Sequence, residues 1–530
     1  MPRPDNFHVY DTTLRDGAQR EGISYSVNDK LAVARLLDSY GVGFIEGGWP
    51  GAMPKDTEFF ERAKTELELK HAELVAFGAT RKPGVAVADD PQVQALLDSG
   101  APVITIVAKS DVLHVKDALK TTLDENEAMV RDTVEYLVSQ GRRVFVDMEH
   151  FFDGYKHDRD YGVRLADVAH AAGASVVVLC DTNGGMLPSG ITAIVTDVSA
   201  RSTARLGIHC QDDTGCAIAN SVAAVEAGAT HVQCTANGYG ERTGNADLFV
   251  VIPNLVTKLG YDILPEGALK ETVRIAHSIA EIANIAPNTH QPYAGVSAFA
   301  HKAGLHASAL KVSADLYNHI DPTVVGNDMR VLITEMAGRA SVELKGRELG
   351  YDLSGDSALL TRVIDKVKDL EARGWTFEAA DASFELLLLD EDGAERRFDV
   401  ESWRTIVEQA ADGSVSTEAT VKVHASGERI ISTAEGNGPV NALDRALRAA
   451  VIQLYPELDS LELIDYKVRI LDGITGTDAV TRVLVGTSDG FGQWSTVGVH
   501  ENVIAASWRA LEDAVTFGLI RAAKRDAPAQ

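Results

Sequence analysis

Cysteine is scarce in this chain of 530 residues: only Cys180, Cys210, Cys216 and Cys234 occur, all in one stretch and none in a CxxC pair. That pattern excludes a disulfide framework and a zinc ribbon, and it reads as reduced thiols in or near buried strands. Basic charge is also short, with 50 Lys and Arg against 77 Asp and Glu and a formal net charge of -27. Binding to a phosphate backbone rests on Lys and Arg clusters; none is found, so no nucleic-acid partner is expected. Any anionic substrate must be held by local positive charge. Long apolar runs are missing too. No stretch of about 18 uncharged apolar residues occurs, so no membrane span is expected. The start Met1-Pro2-Arg3-Pro4-Asp5 lacks a signal-like apolar run, which makes a cytoplasmic protein the expectation. What remains is 45% hydrophobic and 24% charged residues, the profile of a globular protein long enough for two or three domains.

From residue 7 to about 255, short apolar runs alternate with helical patterns. The runs are Phe7 to Tyr10, Gly43 to Glu46, Leu74 to Phe77, Val103 to Val107, Arg143 to Met148, Ser175 to Cys180, Leu206 to His209 and His231 to Cys234. Eight candidate strands, spaced roughly 30 residues apart with room for a crossover helix in each gap, predict an α/β fold, a (β/α)8 TIM barrel rather than a doubly wound sheet. The first helix announces its ends: Ser26 as N-cap, Asp29 in the capping-box position, Leu31, Ala34 and Leu37 inward, and Gly41 after the last turn. In such a barrel the chemistry sits on the loops after the strands. There the polar residues gather: Arg15-Asp16, Glu46, Arg81, Lys109, Glu149-His150, Asp181-Thr182-Asn183, His209 with Gln211, and Asn237 to Asn245.

The segment Asp11-Thr12-Thr13-Leu14-Arg15-Asp16-Gly17 puts two carboxylates and a guanidinium on the turn after the first strand. Such a turn can hold a divalent metal and a carboxylate substrate together, although alone it is equally a solvated charge cluster. His209-Cys210-Gln211 ends the seventh strand, and period-two alternation points His209 and Gln211 to one face with Cys210 on the other. Strands one, eight and seven are neighbours in a closed barrel. Asp16, His209, Gln211 and the side-chain oxygen of Asn245 are therefore predicted to form an incomplete octahedron with sites left for water and substrate. The glycines of Asn237-Gly238-Tyr239-Gly240-Glu241-Arg242-Thr243-Gly244-Asn245 follow strand eight and do not spell GxGxxG, so close backbone approach to that site is the better reading than a nucleotide loop.

Residues 286 to 365 lose the barrel rhythm and read as helices and connections, carrying His301, Gly304, His306 and Tyr317. From about 380 the composition shifts toward strands and a repeat emerges. Ala419 to Val451 and Val480 to Val515 each read as strand, turn (Ser426-Gly427; Ser488-Asp489-Gly490), strand and helix. The expected parts are a catalytic barrel at 1–285, a helical linker at 286–375 and a C-terminal α+β regulatory or dimerisation domain at 376–530.

Taken in order, Asp11 to Gly17, the HxQ of His209 and Gln211, Asn237 to Asn245, Phe299-Ala300-His301-Lys302-Ala303-Gly304-Leu305-His306 and Glu435-Gly436-Asn437-Gly438-Pro439 resemble the acyl-CoA Claisen-condensing enzymes of the DRE-TIM metallolyase superfamily. That group includes 2-isopropylmalate, homocitrate and citramalate synthases. Glu46-Gly47-Gly48-Trp49-Pro50-Gly51, Pro54-Lys55-Asp56 and Glu149 to Lys156 look like its citramalate synthase form. The resemblance implies that Asp16, His209, Gln211 and Asn245 bind the metal and that Arg15 and Thr182 hold the keto acid. It assigns proton transfer to Glu149, His306 and Tyr317, the last two from a neighbouring subunit of a homodimer. It further implies acetyl-CoA and pyruvate as substrates and isoleucine as an effector. Synthesis of isopropylmalate from 2-oxoisovalerate is the runner-up, and a metabolite-sensing paralogue is the reading outside enzymes. Gln211 departs from the family's HxH. A carboxamide oxygen is a harder, weaker ligand than imidazole, which favours Mg2+ or Mn2+ over Zn2+.

Overall fold

In the computed structural model, residues 6–471 and 479–526 are described; the pentapeptide Met1 to Asp5 lies outside them. The chain forms two compact units, one running through Phe299 and including Ile320–Asp328, the other comprising Ala300–His319 and everything from Met329 on. Among the described residues no helix is long and apolar enough to cross a membrane.

The first unit is a closed barrel of eight parallel strands in sequence order: β1 (His8–Asp11), β2 (Phe44–Gly48), β3 (Glu73–Ala79), β4 (Val103–Lys109), β5 (Arg143–Glu149), β6 (Val176–Asp181), β7 (Leu206–Cys210) and β8 (His231–Cys234). Closure pairs β1 with β8, Tyr10 opposite Gln233 and Asp11 opposite Cys234. Several strands run past their apolar cores into the polar residues that follow, because those residues still pair in the ladder: Lys109 lies opposite Glu149, and Asp181 opposite Cys210. Tyr10, Phe44, Val75, Val103, Phe145, Val176, Val178 and Cys180 fill the barrel interior. Alternate residues, Cys210 and Cys234 among them, face the helical shell in a larger core. This is the two-sided burial that makes parallel strands read as continuous apolar runs. The first helix, Val27–Tyr40, begins with the capping box, Ser26 accepting from Asp29 N–H and Asp29 accepting from Ser26 N–H. It ends at Gly41, whose φ of 93° is a left-handed C-cap.

In the second unit, strands β9 (Ala300–His301) and β10 (Arg330–Val331) form a two-residue parallel pair. Helices Arg339–Glu348, Ser357–Ala372 and Asp381–Glu391 share a core of Val342, Leu360, Val363, Phe377 and Phe384. The helix Asp381–Glu391 corrects the expectation of strands from about 380. Its run Leu386-Leu387-Leu388-Leu389 is buried on most sides, and a short apolar run gives no period by which to tell helix from strand.

The repeat is also longer than the sequence suggested. Each half has three antiparallel strands before its helix, β11 (Phe398–Gln409), β12 (Val415–Ala425) and β13 (Glu428–Gly436) in one, β14 (Glu462–Ile470), β15 (Thr481–Ser488) and β16 (Gln493–His500) in the other. The extra strands β11 and β14 are edge strands and largely exposed. They carry the charges that discourage edge pairing, which hides the apolar alternation that marks β12 and β15. Helix Pro439–Val451 lays Ala442, Leu443, Ala446, Leu447 and Ala450 against the first sheet, and Val503–Asp526 lays Ala506, Ala510 and Leu511 against the second.

Candidate active site

The turn after β1 is tied by Arg15 N–H and Gly17 N–H, both donating to the Thr12 carbonyl. Of the two carboxylates on it, only Asp16 faces the barrel mouth. Asp11 is buried and accepts from Thr13 N–H and Thr13 Oγ1, which in turn accepts from Ala236 N–H. Its carboxylate therefore knits β1 to the loop after β8, and burial pushes its carboxyl up to about 7.

Asp16 Oδ2 lies 3.3 Å from His209 Nε2, 3.3 Å from Gln211 Nε2 and 3.4 Å from an Arg15 guanidinium nitrogen. Burial would raise the Asp16 carboxyl, but Arg15 and His209 outweigh it and hold the group well below the usual carboxylate range. Burial likewise opposes charge on His209, and Asp16 overcomes it, raising the imidazole. Asn245 reaches the same place because residues 211 and 245 form an antiparallel bridge, flanked by Ala246 N–H donating to the Cys210 carbonyl and Asp212 N–H to that of Gly244. The Asn245 carboxamide donates Nδ2–H to the Tyr239 carbonyl at 3.0 Å, leaving Oδ1 buried with no protein donor. It lies directly over Gly240, where φ is +155° and a Cβ would stand 2.2 Å from Nδ2. Only glycine fits there.

Gln211 Oε1 is the second buried oxygen without a donor, while its Nε2 sits beside Asp16 and His209, 3.4 Å from His209 Nε2. A half-turn of the carboxamide exchanges the two atoms and brings an oxygen there instead. One carboxylate, one imidazole and two carboxamide oxygens without donors are a donor set that fits a hard six-coordinate cation such as Mg2+ or Mn2+. Among the described residues no group of three or more His, Cys, Asp or Glu side chains is placed to hold a metal ion; at this site two of the four donors are amides.

Arg15 is fixed from two sides. Its Nε donates to Glu46 Oε1 at 2.5 Å, and its guanidinium lies 3.9 Å from the centre of the Phe77 ring. Glu46 is fully buried and also accepts from Thr12 Oγ1 at 2.6 Å and from the Tyr10 hydroxyl. Trp49 packs edge-on against Phe77 at 5.3 Å and donates Nε1–H to Gln92. Arg15 and Trp49 line one cavity of about 500 Å3 with Tyr25 and Met53. Glu149, at the end of β5, is ion-paired with Lys109 at the end of β4. Thr182 Oγ1 accepts from His150 N–H at 2.8 Å and so ties the turn after β6 to the one after β5. His306 and Tyr317 belong to the second unit, where their rings stack at 4.0 Å beside His301.

Three family models cover this chain: HMGL-like over residues 6–279, homocitrate synthase post-HMGL domain-like over 294–374, and the LeuA allosteric (dimerisation) domain over 378–519. The (R)-citramalate synthase of Streptomyces coelicolor is 67% identical over 98% of this chain and 97% of its own. That of Aquifex aeolicus is 48% identical, with 98% of each chain covered. The chain belongs to the (R)-citramalate synthase family. The 2-isopropylmalate synthase of Methanocaldococcus jannaschii is more distant, 30% identical over 97% of this chain and 94% of its own.

In this member of the citramalate synthase family, sequence reasoning overlooked the groups that hold the site residues in place. Gln233 Oε1 lies 2.8 Å from His209 Nδ1, and Gln233 Nε2 donates to Asp147 Oδ1 at 2.9 Å. Glu46 and Lys109 were visible as strand-end charges, but not as the partners of Arg15 and Glu149. The available signal was strand alternation: Gln233 is two residues from His231 and Asp147 two from Glu149, both on inward-facing positions.

Proposed function

We propose that the chain joins the acetyl group of acetyl-CoA to pyruvate and hydrolyses the resulting thioester, giving (R)-citramalate and CoA. The observation that carries this reading is the convergence of Asp16, His209, Gln211 and Asn245 beside an arginine whose direction is set by a fully buried glutamate. A divalent cation held by those four residues, Mg2+ or Mn2+ by the hardness of the donors, supplies Lewis acidity toward the 2-oxo acid. Arg15 takes the pyruvate carboxylate, and its anchoring to Glu46 and Phe77 orders the guanidinium before substrate arrives. Thr182 holds the keto acid together with Arg15, its hydroxyl hydrogen, which the bond from His150 leaves free, donating to a carboxylate oxygen. His306, contributed by a neighbouring subunit with Tyr317 stacked on its ring, removes a methyl proton from the thioester, and a positioned base of this kind contributes about 10²- to 10⁴-fold. Glu149 orients the water that cleaves the thioester.

The same reading makes the chain a homodimer through its C-terminal part and places it in cytoplasmic isoleucine biosynthesis. The functional parts it implies are a catalytic barrel at 1–285, a linker at 286–375 and a regulatory part at 376–530. Isoleucine is its effector, the turn Glu435 to Pro439 at the start of helix Pro439–Val451 offering backbone amides to a carboxylate.

A thiol-trapping assay of CoA release over a panel of 2-oxo acids tests the activity. Pyruvate is expected to be turned over best. Faster release with 2-oxoisovalerate would make the chain an isopropylmalate synthase, and no release with any acid a metabolite sensor. Isoleucine at millimolar concentration should inhibit the full chain; absence of both binding and inhibition removes the regulatory reading.

A further inference from the structure

We infer that Gln233, backed by Asp147, is a positioning residue that fixes the tautomer and ring plane of His209, so that Nε2 is the nitrogen offered to the cation. The inference rests on the metal site proposed above. Gln233 lies on β8 directly opposite His209 of β7. Its carboxamide spans the barrel interior, Oε1 at 2.8 Å from His209 Nδ1 and Nε2 at 2.9 Å from Asp147 Oδ1. His209, Gln233 and Asp147 are 6%, 1% and 4% exposed, so water does not compete for these bonds. The Asp147 oxygen accepts, which draws the carboxamide N–H toward it and turns the carboxamide oxygen to His209. A carboxamide oxygen only accepts. His209 Nδ1 must therefore carry a hydrogen, and the lone pair left for a ligand is that of Nε2, 3.3 Å from Asp16 Oδ2. Without this partner the imidazole is free to turn over or to place its hydrogen on Nε2, and either change removes one of four donors.

The test is Mn2+ titration into the full chain, followed by electron paramagnetic resonance, with circular dichroism as the check on folding. Gln233→Met keeps the length and removes the acceptor; it should weaken Mn2+ binding about 10- to 100-fold. Gln233→Glu alone should also bind weakly, because its second oxygen faces Asp147. Combining Gln233→Glu with Asp147→Asn restores a donor opposite an acceptor and should recover affinity to within a few-fold of the parent. A purely structural role for Gln233 gives no reason for that recovery. Parent affinity in folded Gln233→Met overturns the inference. If that variant does not fold, the paired exchange decides: no gain over Gln233→Glu alone overturns it. Asp16→Ala separates the two readings. Equal binding by Asp16→Ala and parent overturns the metal site and this inference together. Loss in Asp16→Ala without loss in Gln233→Met overturns this inference alone.

Discussion

Replacing Gly240 by alanine tests whether the loop after β8 exists to place the Asn245 oxygen. The new Cβ would stand 2.2 Å from Asn245 Nδ2, against the 3.4 Å at which ordinary contact begins, so the carboxamide must recede by the difference, about 1.2 Å. Metal–ligand distances tolerate only about 0.2 Å. The donor is therefore displaced well beyond use, and Mn2+ affinity should fall at least about tenfold, comparable to losing an orienting partner. A backbone cost accompanies this, since a side chain at φ of +155° is strained by about 1–3 kcal/mol. Gly260→Ala is the control. Its φ is +72° and nothing lies within 4 Å of the added carbon, so it should lose about 1–2 kcal/mol of stability with no change in Mn2+ affinity. Thermal denaturation and Mn2+ titration on both variants separate strain from displacement. If Gly240→Ala binds Mn2+ as the parent does, Asn245 is no ligand and the reasoning fails.

Gln211→His, which restores an imidazole, should tighten Zn2+ binding more than Mn2+ binding; calorimetry giving unchanged affinities would show that residue 211 does not face the ion. Trp49→Ala enlarges the cavity it shares with Arg15 and should improve discrimination toward longer 2-oxo acids by about 1–3 kcal/mol in kcat/KM ratio. An unchanged substrate ranking would free Trp49 from that role. In the second unit, burial pushes the Asp513 carboxyl up to about 7, with Arg396 opposing and Glu512 and Asp390 adding to the rise. The folded state then keeps a proton that the unfolded state loses, so this group's contribution to stability falls as pH rises from about 4 to about 7 and is flat above. Asp513→Asn should be more stable than the parent at pH 8, by at most about 4 kcal/mol, and indistinguishable near pH 4. Denaturant melts at the two pH values check this, and an equal difference at both would refute it.

The sequence by itself determined the barrel, because parallel strands buried on both faces must be apolar throughout and each needs a crossover of about a dozen residues or more. It also determined which residues of β7 share a face, since alternation is a local property of one strand. The capping box at Ser26 and Asp29 and the left-handed turn at Gly41 were legible for the same reason: their partners lie within four residues. The helix Asp381–Glu391 was not, because eleven residues with an apolar run carry no decisive period. Nor were the edge strands β11 and β14, whose charged exposure hides their alternation.

At the site, the sequence supplied the residue types and the tertiary structure decided their partners. Asp11 and Asp16 are both carboxylates on one turn, yet closure of β1 on β8 draws Asp11 to Thr13 and Ala236 and leaves Asp16 to His209. Glu46 meets Arg15, Thr12 and Tyr10, and Asp147 meets Gln233, across sequence separations of 31, 34 and 36 residues and of 86. Such pairings depend on strand stagger around a closed ring, which no local pattern encodes.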